Sequence, residues 1–198
     1  MPVYSALSQR AMTTTRTPCR RTTRAPFRFS LAGGQRPDKC RFLTGGDAEV
    51  AIWERLWQRH SFRADWLSYD LLQAPHHCSW HSLSHDSWSE KGEDAEVSKD
   101  ARNALSRIRD GATIVASSVP IKDDERDPPC IRAKREYVAI LQPVAGDFRC
   151  VGEWPSPKSP DVMDFEIGAH GHRLKDKSLA AASVVGPAII GRQPLAHG

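Results

Sequence analysis

The chain has 198 residues, of which 39% are hydrophobic and 26% are charged, so it can form one packed domain with tails. Its five cysteines are odd in number and widely spaced, which does not indicate a disulfide framework. The chain does not begin with the apolar segment of a secretory signal, and its longest apolar run, residues 179–191, is too short to span a bilayer. These features favour an intracellular protein.

The positive charge is concentrated in residues 1–37, which contain seven arginines, no lysine and no acid. The remaining residues contain 24 acids against 21 basic residues, which argues against a broad basic face on the body of the protein. A basic, acid-free arm that is rich in serine and threonine is typical of a transit peptide, which would direct the protein to the mitochondrion or another organelle. A plain disordered tail in a cytoplasmic protein and an arginine-rich arm that binds nucleic acid are the alternatives.

The middle of the chain contains three predicted helices, at about residues 47–60, 64–74 and 94–110. In the first, Val50, Trp53 and Trp57 share one face, as in an amphipathic helix that packs on a core. The second ends before Pro75, and the third carries apolar residues at helical spacing and is followed by Gly111, a natural helix stop.

The second half of the chain favours short strands, at about residues 113–117, 136–142, 148–154 and 162–167. The segments at 136–142 and 148–154 are joined by a proline- and glycine-containing turn, which predicts an antiparallel hairpin. We therefore expect an α+β fold with the helices on one face of a small, mostly antiparallel sheet. The predicted organisation is a disordered arm at 1–37, a single domain at 38–178 and a small-apolar tail at 179–198.

The densest group of metal-binding residue types lies in residues 75–88, between the second and third predicted helices. If this stretch were helical, His77, Cys78, His81 and His85 would lie on one face, with imidazoles spaced as in known zinc sites. Its high serine content favours instead a loop that connects the helices and carries no site. Zinc binding therefore depends on the local structure.

A second candidate group follows the last predicted strand. Asp164 and Glu166 alternate with apolar residues, and His170 and His172 come shortly afterwards. Carboxylates and imidazoles together suit a divalent cation, although alternating acids are also typical of the solvated face of an edge strand.

No catalytic motif is present: there is no phosphate-binding glycine loop, no nucleophile elbow and no His-Glu-x-x-His. The preferred hypothesis is therefore a small accessory or interaction protein that binds a protein partner. The first alternative is a zinc-type metal-dependent enzyme, or a zinc-stabilised module, that uses the cluster at 76–85. The second alternative is nucleic-acid binding through residues 1–37.

Overall fold

The computed structural model of the chain describes residues 27–31 by their backbone, and residues 40–168 and 170–175. The described residues form nine strands and four α-helices. The strands are β1 Phe27–Leu31, β2 Phe42–Thr44, β3 Tyr69–Gln73, β4 Ile108–Ala116, β5 Asp147–Cys150, β6 Pro155–Ser156, β7 Ser159–Pro160, β8 Met163–Gly168 and β9 Gly171–Leu174. The helices are α1 Val50–His60, α2 Trp88–Lys91, α3 Lys99–Leu105 and α4 Ile131–Leu141.

The central element is a four-stranded sheet in the order β2-β3-β4-β5, in which every neighbouring pair is parallel. Each parallel pair needs a crossover connection, and α1, α3 and α4 lie within the three crossovers. Because the strands follow one another in chain order, right-handed crossovers place all of these helices on the same face of the sheet.

Both faces of the parallel sheet are covered. On the helix side, Leu72 and Ile114 pack with buried residues of the helices, including Trp53 and Tyr137. On the other side, Leu71 and Val115 pack with buried side chains of β8. Adjacent residues of β3 and β4 thus face opposite cores, as expected for central parallel strands.

The second layer is a three-stranded sheet in the order β1-β8-β9, in which β1 pairs with β8 in parallel and β9 pairs with β8 antiparallel. A two-stranded antiparallel ribbon of β6 and β7 comes just before β8 in the chain. The protein therefore has helices on one side of a parallel sheet and a small mixed sheet on the other.

The predicted α+β fold with a mostly antiparallel sheet is wrong, since the central sheet is entirely parallel and the fold is α/β. The segment expected as a helix at 64–74 is instead a 3-10 segment, Ser61–Leu67, followed by β3. Conversely, the strand expected at 136–142 belongs to α4. Because α4 replaces one strand of the predicted hairpin and β3 replaces a predicted helix, the strands are joined by the long crossovers that parallel pairing requires.

The remaining predicted elements are recovered with different bounds. The first predicted helix corresponds to α1, whereas the long helix predicted at 94–110 is limited to α3, because the chain enters β4 at Ile108. The strands predicted at 113–117, 148–154 and 162–167 correspond to β4, β5 and β8. Within the predicted arm, residues 27–31 form β1, and the rest of the arm and the tail at 179–198 lie outside the described residues.

Among the described residues, no helix combines the length and apolar character that crossing a bilayer requires.

A close backbone approach at Gly152 provides a test of the packing beside the parallel sheet. A methyl group added at Gly152 would lie 2.7 Å from Pro120 N and from the Ser118 carbonyl oxygen, and backbone atoms cannot move aside cheaply. We expect Gly152→Ala to lower the free energy of unfolding by about 1–3 kcal/mol, as measured from urea unfolding curves.

Gly168→Ala is the matched control, because its added methyl group would meet only the Gly171 carbonyl oxygen, at 3.8 Å. We expect that variant to unfold within about 0.5 kcal/mol of the unchanged protein. Equal effects of the two substitutions would contradict the close approach at Gly152.

Candidate functional site

Four loops meet at one edge of the parallel sheet, because all four of its strands run in the same direction. Ligands of open α/β sheets bind outside this carboxyl edge, usually where the strand order reverses. The order β2-β3-β4-β5 does not reverse. The topology therefore indicates which edge of the sheet binds ligands, and the side chains of the loops indicate where along that edge the site lies.

The loop after β3 has an uncommon backbone. His76, His77 and Cys78 have φ angles of 46°, 56° and 70°, so three consecutive residues with side chains lie in the left-handed region. Such conformations cost on the order of 1–3 kcal/mol each, and they persist where the surrounding structure fixes them. Because they concentrate at ligand-binding and active sites, this loop is a candidate functional site.

Loops from both neighbouring strands fix the left-handed segment. The His76 amide donates to the Gly46 carbonyl oxygen at 2.8 Å, in the loop after β2. On the other side, the Cys130 amide donates to the Cys78 carbonyl oxygen at 3.0 Å, at the start of α4. The segment is thus held between two other loops of the same edge.

A chain of side-chain hydrogen bonds also crosses the edge and ends at His77. The Thr44 hydroxyl donates to Gln73 Oε1 at 3.2 Å, and Gln73 Nε2 donates to the Ser117 hydroxyl at 3.1 Å. His77 Nδ1 lies 2.8 Å from the Ser117 carbonyl oxygen. A carbonyl oxygen only accepts, so Nδ1 is the donor in this contact.

The adjacent imidazole has an unsatisfied ring nitrogen. His76 Nδ1 is shielded from solvent and has no hydrogen-bond partner among the described residues. Most shielded polar atoms in folded proteins are hydrogen-bonded, so an exception indicates strain or a missing binding partner. Residues 76 and 77 therefore place two imidazoles at the carboxyl edge, one of which has a shielded and unsatisfied Nδ1.

The other predicted ligands of the 75–88 stretch lie elsewhere. This stretch begins with two 3-10 turns, Pro75–His77 and Trp80–Ser82, and not with the α-helix that would place the four ligands on one face. Cys78 is fully buried, and burial raises the pKa of its thiol well above the usual range. Its side chain is therefore a packed thiol rather than a thiolate ligand.

His81 and His85 have separate acidic neighbours. His81 Nε2 lies 4.0 Å from Asp127 Oδ2, and His85 Nε2 lies 3.0 Å from Glu54 Oε2. A hydrogen bond from the Ser98 hydroxyl lowers the pKa of Glu54, and His85 lowers it further. In the described part of the chain, no three His, Cys, Asp or Glu side chains are arranged to hold a metal ion.

The candidate group on the last strands is divided between two faces of the small sheet. Glu166 lies opposite Arg173 and accepts hydrogen bonds from its guanidinium, whereas His172 lies opposite Ile167. His172 Nε2 is 2.8 Å from the Thr113 hydroxyl, so this ring points toward the parallel sheet. Asp164 is on the Glu166 face by strand alternation, and His170 is exposed in the turn before β9.

Comparison with known proteins identifies no relatives. No family model matches the chain, and no curated protein and no solved structure is detectably similar to it.

The residues that position His77 were not predicted from the sequence. Thr44, Gln73 and Ser117 have ordinary side chains, and each matters only because it ends or follows a strand of the same parallel sheet. A correct assignment of β3 as a strand would have placed His76 and His77 just beyond a carboxyl end, which is the signal that was missed.

The half-buried ring of His172 predicts a pH dependence of stability. Burial lowers the pKa of His172, and the negative charge of Asp70 opposes this shift only in part. Between the folded pKa and the unfolded value of about 6.5, the unfolded chain binds a proton that the folded protein does not. The contribution of His172 to stability is therefore complete above that window and declines as the pH falls through it.

We expect His172→Gln to reduce the loss of unfolding free energy between about pH 7.5 and pH 5.5. Urea unfolding of both proteins at several pH values measures this difference, and the acidic groups titrate mainly below the range. An equal or steeper pH dependence in the variant would contradict the assignment.

Proposed function

We propose that the protein is a metal-dependent enzyme domain of the zinc type, and that His77 supplies one ligand to the ion at the carboxyl edge of the parallel sheet. The observation that carries the proposal is the 2.8 Å contact between His77 Nδ1 and the Ser117 carbonyl oxygen. Imidazoles that bind metals commonly donate their other ring N–H to a carbonyl or carboxylate, which fixes the tautomer and the ring orientation. Ser117 provides this second interaction for His77.

The backbone strain at 76–78 and the unsatisfied Nδ1 of His76 support the same location. An ion bound beside these rings would supply the missing interaction energy and compensate the strained loop. No other described loop has three consecutive left-handed residues with side chains.

An open zinc site needs fewer protein ligands than a zinc-stabilised module does. A structural zinc ion is normally enclosed by four protein ligands, whereas a catalytic zinc ion is held by three and keeps a position for water or substrate. The described residues bring no three ligands together, so His77 would be one ligand of a site that other residues complete. Bound at His77, a zinc ion would act as a Lewis acid or would activate a water molecule for hydrolysis.

Metal content tests the proposal. We expect the full-length protein, expressed with added zinc and then desalted, to retain about one equivalent of metal by elemental analysis. His77→Asn should lower that content at least about tenfold. Asparagine suits this variant because it tolerates the left-handed backbone of residue 77 and removes the imidazole.

His85→Asn is the matched control, since it removes an imidazole that pairs with Glu54 on the surface. We expect it to leave the metal content unchanged. Thermal unfolding with and without a chelator gives a second readout, in which the chelator destabilises the unchanged protein and not His77→Asn. Metal-free protein, or equal metal in His77→Asn, would overturn the proposal.

The second candidate function is that of an accessory protein that binds a partner, and exposed aromatic side chains favour it. Phe62 and Trp66 are 76% and 48% exposed on the segment that follows α1. Large exposed rings that lie close together are typical of interaction surfaces, in which Trp and Arg often contribute most of the binding energy.

For the arm at 1–37 we propose that it directs import into the mitochondrion or another organelle, because it contains seven arginines and no acid. We expect a fusion of residues 1–40 to a fluorescent protein to accumulate in an organelle, and the same fusion with the arm arginines changed to glutamine to remain diffuse. A diffuse cytosolic signal from the unchanged arm would contradict the proposal.

A further inference from the structure

We infer that the outer face of α1 and of the segment Ser61–Leu67 is a binding surface for single-stranded nucleic acid. This surface consists of six exposed residues, and we call it the arginine–aromatic surface. Its members are Ile52, Arg55, Arg59, Phe62, Arg63 and Trp66. The inference goes beyond both candidate functions above and is independent of the proposed metal site.

Three of these residues lie on one face of α1, and the other three lie on the 3-10 segment that follows it. Ile52, Arg55 and Arg59 recur at intervals of three and four positions, which matches one face of a helix. The 3-10 segment carries Phe62, Arg63 and Trp66, and its backbone is non-helical at Arg63, with φ −131° and ψ 51°. The two parts are therefore consecutive in the chain and separated by a kink.

The aromatic end of the surface is organised around Arg63. Its guanidinium lies 4.8 Å from the ring centre of Trp66 and 5.7 Å from that of Phe62. The ring of His60 lies 5.6 Å from that of Trp66. A guanidinium held against rings in this way still directs N–H donors toward solvent, where an anionic group can accept them.

Core packing and hydrogen bonds hold the 3-10 segment of this surface in place. Leu67, at the end of the segment, is buried in the core on the helix side of the sheet. The Arg41 guanidinium donates to the Asp65 carbonyl oxygen at 2.6 Å, and the Ser68 amide donates to the same oxygen at 3.1 Å. The rings are therefore presented on a fixed segment, which reduces the entropy that binding would cost.

The charges determine the class of partner. Among the described residues, none of the carboxylates forms an ion pair with Arg55, Arg59 or Arg63. The carboxylate of Glu54, next to Arg55 in the chain, is engaged by His85 and Ser98, and Asp65 is the one acid of the 3-10 segment. The surface thus combines positive charge with flat apolar rings.

Single-stranded nucleic acid matches both properties. Its phosphates complement the arginines, and its bases stack on aromatic rings without a need for a particular sequence. The net negative charge of the body does not exclude this, because the positive charge is local to one helix face and the Debye length is about 8 Å at physiological ionic strength. An acidic peptide would use the arginines but would offer the two rings no base to stack on.

Fluorescence anisotropy with a labelled oligothymidylate of about 15 nucleotides tests the inference. The protein is the full-length chain in which the seven arm arginines are changed to glutamine, so that the arm cannot account for binding. We expect saturable binding, and we expect Phe62→Ala and Trp66→Ala each to weaken it about tenfold. Changing Arg55, Arg59 and Arg63 to glutamine should reduce the slope of log affinity against log salt by about 2.

The charge-matched control changes Lys122, Arg126 and Lys158 to glutamine, because all three are exposed and lie outside this surface. Its affinity and salt slope should equal those of the parent chain. No binding by the parent, or unchanged binding after removal of both rings, would overturn the inference and would leave the interaction candidate as it stands. Ring-dependent binding of a polyglutamate peptide without binding of oligothymidylate would overturn the nucleic-acid inference alone.

Discussion

The structure of the carboxyl edge depends on the way in which residues 76–78 are held in the left-handed region. Their conformation is unfavourable for residues with side chains, and hydrogen bonds from two other loops compensate it. The Gly46 carbonyl oxygen holds the segment from one side, and the Cys130 amide holds it from the other. Because these partners follow β2 and β4, the parallel order of the sheet is what allows the loop to exist. The orientation of His77 follows from the same arrangement, since Ser117 also lies directly after β4.

The fold could be predicted from the sequence only where the periodicity was unambiguous. The face of α1 was clear because its tryptophans and aliphatic residues recur at helical spacing. By contrast, β3 contains adjacent leucines that face two different cores, which is typical of a central parallel strand and equally compatible with a helix. In α4, the run of apolar residues at its end hid the helical spacing of Ala133, Tyr137 and Ile140. These two misassigned elements were enough to convert a parallel sheet into a predicted antiparallel one.

The candidate site was predictable in part. Composition identified the segment that carries His76 and His77. It could not separate these two rings from His81 and His85, which the turns place beside the carboxylates of Asp127 and Glu54. The residues that orient His77 contact one another across 29 to 44 positions of the chain, and no local sequence pattern indicates such contacts. The role of Cys78 was obscured in the same way: its position after two histidines suggested a ligand, whereas its burial makes it part of the core.

The pairing of β1 with β8 joins residues near the beginning of the chain to residues near its end. During synthesis, the core between the helices and the parallel sheet can therefore form before β8 has emerged from the ribosome, while the opposite core cannot. Until then, Leu71 and Val115 lie on an uncovered apolar face. A nascent or proteolytically shortened chain that ends before Met163 would expose that face to other chains, so its solubility in the cell would depend on chaperones or on rapid completion of synthesis.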